Sequence, residues 1–315
     1  MRDRKIEQIS VISGKGGTGK TSYVAAFACI QPDVVLADCD VDAANLHLLV
    51  ASGQKNDETI PFTSGYKAMV DPDVCTGCGK CVEVCRFHAV RFEGGAGADS
   101  RAKAQIEDLA CEGCGCCADE CPAAAISLRE NTAGELFVSP TRFGTLIHAR
   151  LTPGQGTSGK LVARVREKAV DIAGEKGAEL ILIDGSPGIG CPVIASLSGA
   201  DGALIVTEPT VAGLHDLIRV ADLCDHFKIP TYAVINKCDI NLELADRIQE
   251  QCRDRRVEVL GSVPFDPVFV NALTAGVTVM EYDDSEVARN IKGIWSALLS
   301  SMRKNNHAFT KAAAR

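Results

Sequence analysis

The chain has 315 residues and a formal net charge of −8, with 46% hydrophobic and 5% aromatic residues. That length allows one large α/β domain or two smaller ones, and the apolar content is enough for a sizeable core. The acidic balance argues against non-specific binding of nucleic acid, which depends on Lys and Arg neutralising phosphates. No apolar window reaches the length of a membrane-spanning helix, so we expect neither nucleic acid nor a membrane among its partners.

The chain contains 15 cysteines. Whether cysteines form disulfides or stay reduced depends on the cellular compartment. The first residues carry charges but no apolar stretch of the kind found in signal peptides, which predicts a cytoplasmic protein. Thiols stay reduced in that compartment. Clustered cysteines then indicate metal or redox sites far more often than disulfides.

Apolar segments typical of strands alternate with helix-like segments along the chain. A strand at 8–13 leads into a glycine-rich loop, and a helix follows at 21–30. The further strand-like segments are short and unbroken: VVLAD (34–38), LILID (180–184), ALIVT (203–207) and YAVIN (232–236). Because they do not alternate with polar residues, both of their faces are expected to be buried. This pattern predicts an α/β fold with a mostly parallel sheet and helices on both faces.

The loop after the first strand reads SGKGGTGKT (13–21), and it has the strand-to-helix context of a P-loop. Backbone N–H groups of this loop are expected to hold nucleotide phosphates, helped by the N-terminus of the following helix. Lys20 is expected to reach the β- and γ-phosphates, and the Thr21 hydroxyl to hold Mg²⁺. The sequence therefore predicts a P-loop NTPase with ATP and Mg²⁺ as cofactors. The predicted phosphate-binding residues are Gly14, Lys15, Gly16, Gly17, Thr18, Gly19, Lys20 and Thr21.

The alternation of strands and helices breaks between about residues 66 and 130. Within this stretch, 67–92 and 104–128 align with an offset of 36 residues, and the glycine-rich segment 93–100 joins them. Each half is predicted to form a strand, a cysteine loop, a short helix and a second strand. We therefore predict a small α+β domain at 66–130. It is inserted into a larger domain made of 1–65 and 131–315.

Each half of this insert carries four cysteines at spacings of two, two and three intervening residues, the pattern of a bacterial two-cluster ferredoxin. In such ferredoxins the fourth cysteine of each run ligates the other cluster. One [4Fe–4S] cluster is then expected on Cys75, Cys78, Cys81 and Cys121, and a second on Cys111, Cys114, Cys117 and Cys85. Zinc is the alternative, although two matching runs of four cysteines are unusual for a zinc ribbon. Arg86 departs from the pattern, because a proline usually follows the fourth cysteine.

Lys15, directly after the first glycine of the P-loop, is the mark of the deviant loop of the MinD/ParA family. The chain resembles this family, which includes the nitrogenase iron protein and Mrp-type scaffolds, over nearly all residues outside the insert. It is similar to the MinD-type ATPases that carry an inserted ferredoxin domain. The similarity continues in LADCDVDAANL (36–46), LILIDGSPGIG (180–190), TEPTVAGLHDL (207–217), NKCD (236–239) and VPFDP (263–267).

The resemblance implies roles for individual residues. Lys15 reaches across an ATP-dependent homodimer, or a heterodimer with a paralogue, to the neighbour's nucleotide. Asp40 orients the attacking water, so that Lys15, Lys20 and Asp40 form the catalytic set. Mg²⁺ is assigned to Thr21, Asp38, Asp42 and Asp184, and the nucleotide base to Asn236, Lys237 and Asp239. From the residues alone, the DCDVD segment is also compatible with a polar strand end.

Two features leave alternatives open. Cys191 lies seven residues after Asp184, where the nitrogenase iron protein has a cysteine of a bridging cluster. No second cysteine lies in 151–160, which favours a structural thiol. The helix predicted at 286–302 has one apolar face, and its polar face is not strongly basic. Packing on the sheet therefore suits it better than anchoring to a membrane.

Two functions from different classes agree with these patterns. In the first, an ATPase gates low-potential electron transfer, or the maturation of iron–sulfur or other metallocofactors, on a redox or metallocofactor client protein. In the second, the protein is a MinD-like positioning or scaffolding switch whose ferredoxin domain docks partners or senses redox state. The first is preferred, because the clusters would be tethered between two segments that respond to the γ-phosphate.

Overall fold

The computed structural model describes residues 5–31, 33–53, 58–93 and 102–313. The glycine-rich linker predicted at 93–100 lies outside the described residues from position 94 onward. The chain divides into two compact units. The first unit comprises Met1–Ile60, Leu136–Arg150 and Ser158–Arg315, and the second comprises Pro61–Glu135 and Leu151–Thr157. The insert predicted at 66–130 falls inside the second unit, and its character as an inserted domain stays a prediction.

Eleven strands occur in the described residues. They are β1 (Glu7–Ser13), β2 (Val34–Asp38), β3 (Glu58–Val70), β4 (Val90–Glu93), β5 (Lys103–Ile106), β6 (Ile126–Pro140), β7 (Gly144–Leu151), β8 (Leu180–Pro187), β9 (Gly202–Thr207), β10 (Thr231–Asn236) and β11 (Glu258–Val263). Nine of them form one sheet in the order β11-β10-β9-β1-β8-β2-β7-β6-β3. Every neighbouring pair from β11 to β7 in this order runs parallel.

Eleven helices occur in the same residues. They are α1 (Lys20–Ile30), α2 (His47–Val50), α3 (Lys80–Val84), α4 (Cys116–Asp119), α5 (Ser158–Lys176), α6 (Cys191–Leu197), α7 (Val211–His226), α8 (Leu242–Asp254), α9 (Val268–Ala275), α10 (Val279–Tyr282) and α11 (Glu286–Ala313). The strand predictions at 8–13, 34–38, 180–184, 203–207 and 232–236 are confirmed to within a few residues, and so is the helix predicted at 21–30.

The central sheet of the first unit is covered on both faces, which explains why its strands are apolar without alternation. In β9, Leu204 and Val206 join a core that includes residues of α1 and α11. Ala203 and Ile205 point to a second core, which includes residues of α6, α7 and α8. Successive side chains of a strand point to opposite faces, so both sets have to be apolar. The predicted α/β fold with a mostly parallel sheet is therefore confirmed.

The C-terminal helix α11 buries its apolar face, as the sequence pattern favours. Val287, Ile291 and Leu298 are buried in the first unit's core. The Trp295 ring stacks on Phe27 of α1, with 4.8 Å between the ring centroids. In the described part of the chain, no helix combines the length and the apolar character needed to cross a membrane.

The second unit has a small core to which cysteines contribute. Strands β4 and β5 form an antiparallel pair, and α3 and α4 each follow a cysteine-containing loop. The buried residues of this core are Ala68, Cys81, Ala89, Val90, Ala104, Cys111, Cys117 and Ile126. Val70, Val84 and Ile106 pack against these residues and are partly buried. These aliphatic side chains are few and small, so they bury less apolar surface than the cores of the first unit.

Candidate nucleotide and cysteine sites

The P-loop joins the end of β1 to the start of α1 and is contacted by Asn236, the last residue of β10. Gly19 has a φ of 99° and immediately precedes Lys20, the first residue of α1. A Cβ atom at Gly19 would lie 2.7 Å from Asn236 Nδ2, so only glycine fits here. The Asn236 amide donates to the Thr18 carbonyl at 2.8 Å, and its oxygen accepts from the Tyr23 hydroxyl at 3.3 Å.

A lysine and two aspartates meet under this loop. Lys20 is only 6% exposed, and its Nζ lies 3.3 Å from Asp184 Oδ1. Asp184 and Asp38 are register partners on the parallel strands β8 and β2, and both are fully buried. Within the described residues, Asp184 Oδ2 has no hydrogen-bond partner. A buried carboxylate oxygen without a hydrogen-bond partner is unfavourable. We infer that this site binds a group that pairs with that oxygen.

The Asp38 carboxylate accepts hydrogen bonds from backbone N–H groups of the segment that follows it. Its Oδ1 accepts from the Asp40 N–H and its Oδ2 from the Leu46 N–H, each at 3.1 Å. Burial, followed by the neighbouring charge of Asp184, raises the pKa of Asp38 well above its usual range. Asp38 therefore holds the segment that contains Asp40 in place.

A cleft of about 1120 Å³, solvent at its mouth included, opens beside the P-loop. Its size suits a nucleotide. Most of the residues predicted to bind the nucleotide line it: Gly16, Gly17, Thr18, Gly19, Lys20, Thr21, Asn236 and Lys237. Asp40, predicted as catalytic, lines it as well. Its apolar side is formed by Leu49, Pro264, Phe265, Phe269, Val270 and Leu273. The predicted site residues outside the lining are Gly14, Lys15, Asp38, Asp42, Asp184 and Asp239.

Two of these outlying aspartates have distinct positions. Asp42 is exposed, and it contributes nothing to the cleft wall. Asp239 accepts a hydrogen bond from the Phe265 N–H at 2.6 Å. Asp239 thus fixes the loop that carries the apolar side of the cleft, and its predicted contact with the base stays a prediction.

Glu208 binds two lysines beside the P-loop, and sequence reasoning missed it. Lys15 Nζ lies 2.6 Å from Glu208 Oε1 and 3.2 Å from Thr210 Oγ1. Lys237 Nζ lies 2.9 Å from Glu208 Oε2 and 3.1 Å from the Gly17 carbonyl oxygen. Burial would raise the pKa of Glu208, but the hydrogen bonds from Lys15 and Lys237 outweigh it and hold this pKa below its ordinary value. A carboxylate directly after β9, a neighbour of β1, is the signal that could have revealed it.

In the second unit, the eight predicted cluster cysteines line two separate cavities. Cys75, Cys78, Cys81 and Cys121 line one cavity of about 310 Å³, solvent at its mouth included. Cys85, Cys111, Cys114 and Cys117 line another of about 340 Å³, measured in the same way, together with the exposed Cys116. Each cavity therefore receives three cysteines from one half of the repeat and one from the other half.

Backbone N–H groups point at the sulfurs of these cavities. The N–H groups of Ala89 and Ala125 donate to Cys85 Sγ and Cys121 Sγ, both at 3.3 Å. The Ala68 N–H donates to Cys111 Sγ at 3.5 Å. For Cys75, N–H groups of Ala104 and Gly77 outweigh the effect of burial and lower the pKa of the thiol. At Cys75 this favours the thiolate, the form in which cysteine binds metal. Burial instead raises the pKa of the Cys81 thiol and raises the pKa of the Cys117 thiol to about 11.

Among the described residues, no three His, Cys, Asp or Glu side chains converge as they would around a single metal ion. Such an ion draws its ligand atoms to one point at about 2.0–2.3 Å. The two cysteine sets instead surround cavities. Arg86, which takes the place of the usual proline, is exposed. Cys191, interpreted as a structural thiol, is exposed at the first residue of α6, so burial does not support that interpretation.

Comparison with known proteins establishes the family of this chain. A family model described as the CobQ/CobB/MinD/ParA nucleotide binding domain matches residues 9–279. The chain belongs to this family. An uncharacterized protein of Methanocaldococcus jannaschii is 31% identical to it over 296 residues, which cover 93% of this chain and 96% of that protein. Membership of the CobQ/CobB/MinD/ParA family confirms the predicted P-loop ATPase class and supports ATP hydrolysis in general.

Solved structures of the MinD branch share the fold. MinD from Pyrococcus horikoshii, complexed with Mg-ADP, has a TM-score of 0.53 at 18% identity, covering 93% of this chain and 96% of that chain. The MinC:MinD cell division protein complex of Aquifex aeolicus has a TM-score of 0.55 at 18% identity, with the same coverages of 93% and 96%. At such identities the likeness shows the fold alone.

These comparisons support the ATPase part that the two functions predicted from the sequence have in common. The likeness to the MinD structures extends to the fold and assigns no positioning or scaffolding role. The comparisons contain nothing that supports iron–sulfur clusters, a ferredoxin-like domain or coupled electron transfer. The function preferred from the sequence is therefore supported only in its ATPase part.

Proposed function

We propose that this protein is an ATP-hydrolysing, nucleotide-dependent switch of the MinD type whose second unit binds two [4Fe–4S] clusters and serves as the docking module for partner proteins. The observation that carries the proposal is the occurrence, in one chain, of a P-loop cleft and two cavities that each gather four cysteines. In this function, the nucleotide state of the first unit decides when a partner binds.

The residues of the cleft fit Mg-ATP. The loop N–H groups and Lys20 bind the phosphates, and the Thr21 hydroxyl faces the same cleft. The unpaired Asp184 Oδ2 fits a water of a Mg²⁺ ion, because Mg²⁺ keeps several waters when it binds. When bound, Mg²⁺ neutralises charge on the transferred phosphoryl group. Asp38 and Asp42 fit direct metal binding less well, since one is occupied by backbone N–H groups and the other is exposed.

Hydrolysis would need two copies of the chain. Lys15 does not line the cleft of its own protomer, and its ammonium pairs with Glu208. That arrangement suits a lysine that acts on the nucleotide of a partner subunit, where a cation stabilises the charge of the transition state. Asp40, at the wall of the cleft, is the residue we assign to orient the attacking water.

The second unit fits iron–sulfur clusters by the chemistry of its donors. A [4Fe–4S] cluster takes four cysteine thiolates, and each cavity has the four cysteines expected from the spacing pattern. The N–H groups directed at Cys75, Cys85, Cys111 and Cys121 would offset the negative charge on the sulfurs. When bound, the clusters supply cross-links to the small core and sites that accept single electrons.

The partner-docking role is proposed by analogy with a structural neighbour. A MinD structure has been solved together with its partner MinC, which is a property of that protein. A switch that binds partners in one nucleotide state is therefore the simplest function for this chain as well. We propose a homodimer, or a heterodimer with a paralogue, as the ATP-bound form, and a redox or metallocofactor protein as its client.

An anaerobic capture experiment tests this function. The purified chain would be loaded with ATP in a hydrolysis-deficient Asp40→Ala variant, or with ADP in the wild type. Dimer content, captured proteins, iron and acid-labile sulfide would then be measured. We expect dimers and a client in the ATP state only, with eight irons per chain as required by two [4Fe–4S] clusters. Identical capture in both states, or a chain that contains no iron, would refute the proposal.

Gated electron transfer is a second candidate, and the paired cysteine cavities are the observation that favours it. Two clusters held in one small unit allow an electron to enter at one and leave from the other. The test measures the reduction of the clusters and the transfer to an acceptor protein with ATP, with ADP and without nucleotide. Equal rates of cluster reduction and electron transfer in all three conditions would refute gated electron transfer. The docking function would remain.

A further inference from the structure

The two halves of the cysteine repeat exchange lysine contacts. Lys67, on β3, donates from Nζ to the carbonyl oxygen of Cys111. Lys103, on β5, donates from Nζ to the carbonyl oxygen of Cys75. The lysines are separated by 36 residues (103 − 67), and so are the two cysteines (111 − 75). Each half therefore sends one lysine to the first cysteine of the other half.

The residue after each lysine repeats the exchange. The Ala68 N–H donates to Cys111 Sγ at 3.5 Å, and the Ala104 N–H, at the matching position of the other half, lowers the pKa of the Cys75 thiol. A cation and a backbone N–H group thus approach the first cysteine of each run from the opposite half. Because the arrangement occurs twice with the same offset, it is a property of the repeat rather than of one loop.

These lysines lack an anionic partner in the described part of the second unit. Lys67 is only 7% exposed, and Lys103 is half-buried. Among the described residues, neither forms an ion pair with a carboxylate; each ammonium meets a peptide carbonyl, which is a dipole without net charge. Burying a charge without a counter-charge is unfavourable. The buried Lys67, and to a lesser extent the half-buried Lys103, therefore favour negative charge close to Cys111 and Cys75 respectively.

We propose that Lys67 and Lys103 are the counter-charges of the two cysteine sites, each raising the reduction potential of the cluster at the cysteine it contacts. The inference rests on the clusters of the proposed function. Reduction by one electron adds one negative charge to the site, and a nearby cation stabilises that charge more strongly where water is excluded. Lys67 is the more buried of the two and has the larger effect.

Potentiometric titration of the anaerobically purified full-length chain tests this assignment, with dithionite as the reductant and the two clusters followed by electron paramagnetic resonance. Lys67→Met and Lys103→Met are each expected to make one cluster harder to reduce by at least tenfold, which is about 59 mV for one electron. The two variants have to shift different clusters. Lys67→Arg and Lys103→Arg, which keep the charge, are expected to retain potentials close to those of the wild type.

Lys80 provides the matched control. It is exposed at the mouth of the Cys75 cavity, so water screens its charge and Lys80→Met is expected to change either potential far less. If Lys67→Met fails to load its cluster, the less buried Lys103 carries the test alone. Unchanged potentials in Lys103→Met, or shifts no larger than in Lys80→Met, would overturn the inference. A wild-type chain without iron and sulfide would instead refute the proposed function.

Discussion

Lys15 contacts two side chains of its own protomer, Glu208 and Thr210. A lysine whose charge is paired in this way cannot at the same time act on a nucleotide. Under the proposed trans mechanism, its use in hydrolysis requires that the pair with Glu208 be exchanged for a phosphate. A second subunit that brings its own nucleotide near would make that exchange favourable.

Substitution of Lys15 separates binding from hydrolysis. In Lys15→Ala, we expect ATP affinity to change little, because Lys15 does not line its own cleft. Turnover is expected to fall by at least tenfold, since a cation acting in trans contributes factors of about 10³ or more. The measurement is steady-state ATP hydrolysis alongside equilibrium nucleotide binding. Lys304→Ala, an exposed lysine of α11, is the control, and normal turnover in Lys15→Ala would contradict the trans mechanism.

Glu208 gives a pH-dependent prediction. Its folded-state pKa lies below its ordinary value of 4.5, so its ion pairs stabilise the fold above that pH. The stabilisation is lost as the pH falls through the lower pKa of the folded state. Glu208→Gln is expected to lower the free energy of unfolding by about 1–3 kcal/mol at pH 7.

Urea denaturation over a series of pH values from 7 downward checks this expectation. The difference between wild type and Glu208→Gln should shrink as the pH falls through the lowered pKa of the folded state, because protonation of the wild-type carboxylate removes its ion pairs. Glu243→Gln, at an exposed position of α8, should show no such convergence. A Glu208→Gln deficit that stays constant with pH would mean that packing, not charge, explains the loss.

Local patterns made the P-loop, the buried strands and the cysteine runs predictable, because each depends on residues that are close in sequence. Glu208 was not predictable in this way, since Lys15 and Lys237 reach it from distant segments. The hydrogen bonds that the Asp38 carboxylate accepts from the Asp40 and Leu46 N–H groups were likewise not predictable, because they depend on the path of the chain after β2. The exposure of Cys191 could not be derived from its spacing.

At the scale of elements, the loop before α4 packs tightly against β3 within the second unit. Gly113 has a φ of +65°, and a Cβ atom there would lie 1.9 Å from the Tyr66 carbonyl oxygen. Gly115 has a φ of +84°, but its Cβ would meet only a side-chain atom of Leu128, at 3.5 Å. The two glycines thus share backbone strain and differ in the space available.

This difference predicts unequal effects of the same substitution. Gly115→Ala is expected to cost about 1–2 kcal/mol, the strain of a left-handed non-glycine residue. Gly113→Ala should cost more, because the Tyr66 backbone has to move, and β3 with it. Thermal unfolding and the iron content of the purified variants provide the measurement. Equal losses in the two variants would show that the contact between Gly113 and Tyr66 is not important for the loop.

At the scale of the whole molecule, the two units differ in what holds them together. The first unit has large aliphatic and aromatic cores on both faces of its sheet. In the described part of the second unit, the buried cluster around the cysteines contains three alanines, three cysteines, one valine and one isoleucine, with Val70, Val84 and Ile106 partly buried against it. Apolar burial stabilises the first unit, and in the proposed function the clusters add cross-links to the smaller core of the second.

If the second unit binds the proposed clusters, removal of iron by a chelator should act on that unit only. We expect amide hydrogen exchange to become fast in the described parts of residues 61–135 while β8 and β9 remain protected. ATP binding should persist, because every residue that lines the cleft belongs to the first unit. Hydrogen exchange with and without chelator measures this. Simultaneous loss of protection in both units, or in neither, would contradict it.

The exchange of fourth cysteines between the two cavities has a consequence for synthesis on the ribosome. Cys121 lies in the cavity of Cys75, Cys78 and Cys81, so that cavity cannot be completed until about forty further residues have been translated. The cavity that contains Cys85 likewise cannot be completed until Cys111, Cys114 and Cys117 have been translated. Neither half can mature alone, and a nascent chain that stops between the halves exposes only incomplete sets of thiols.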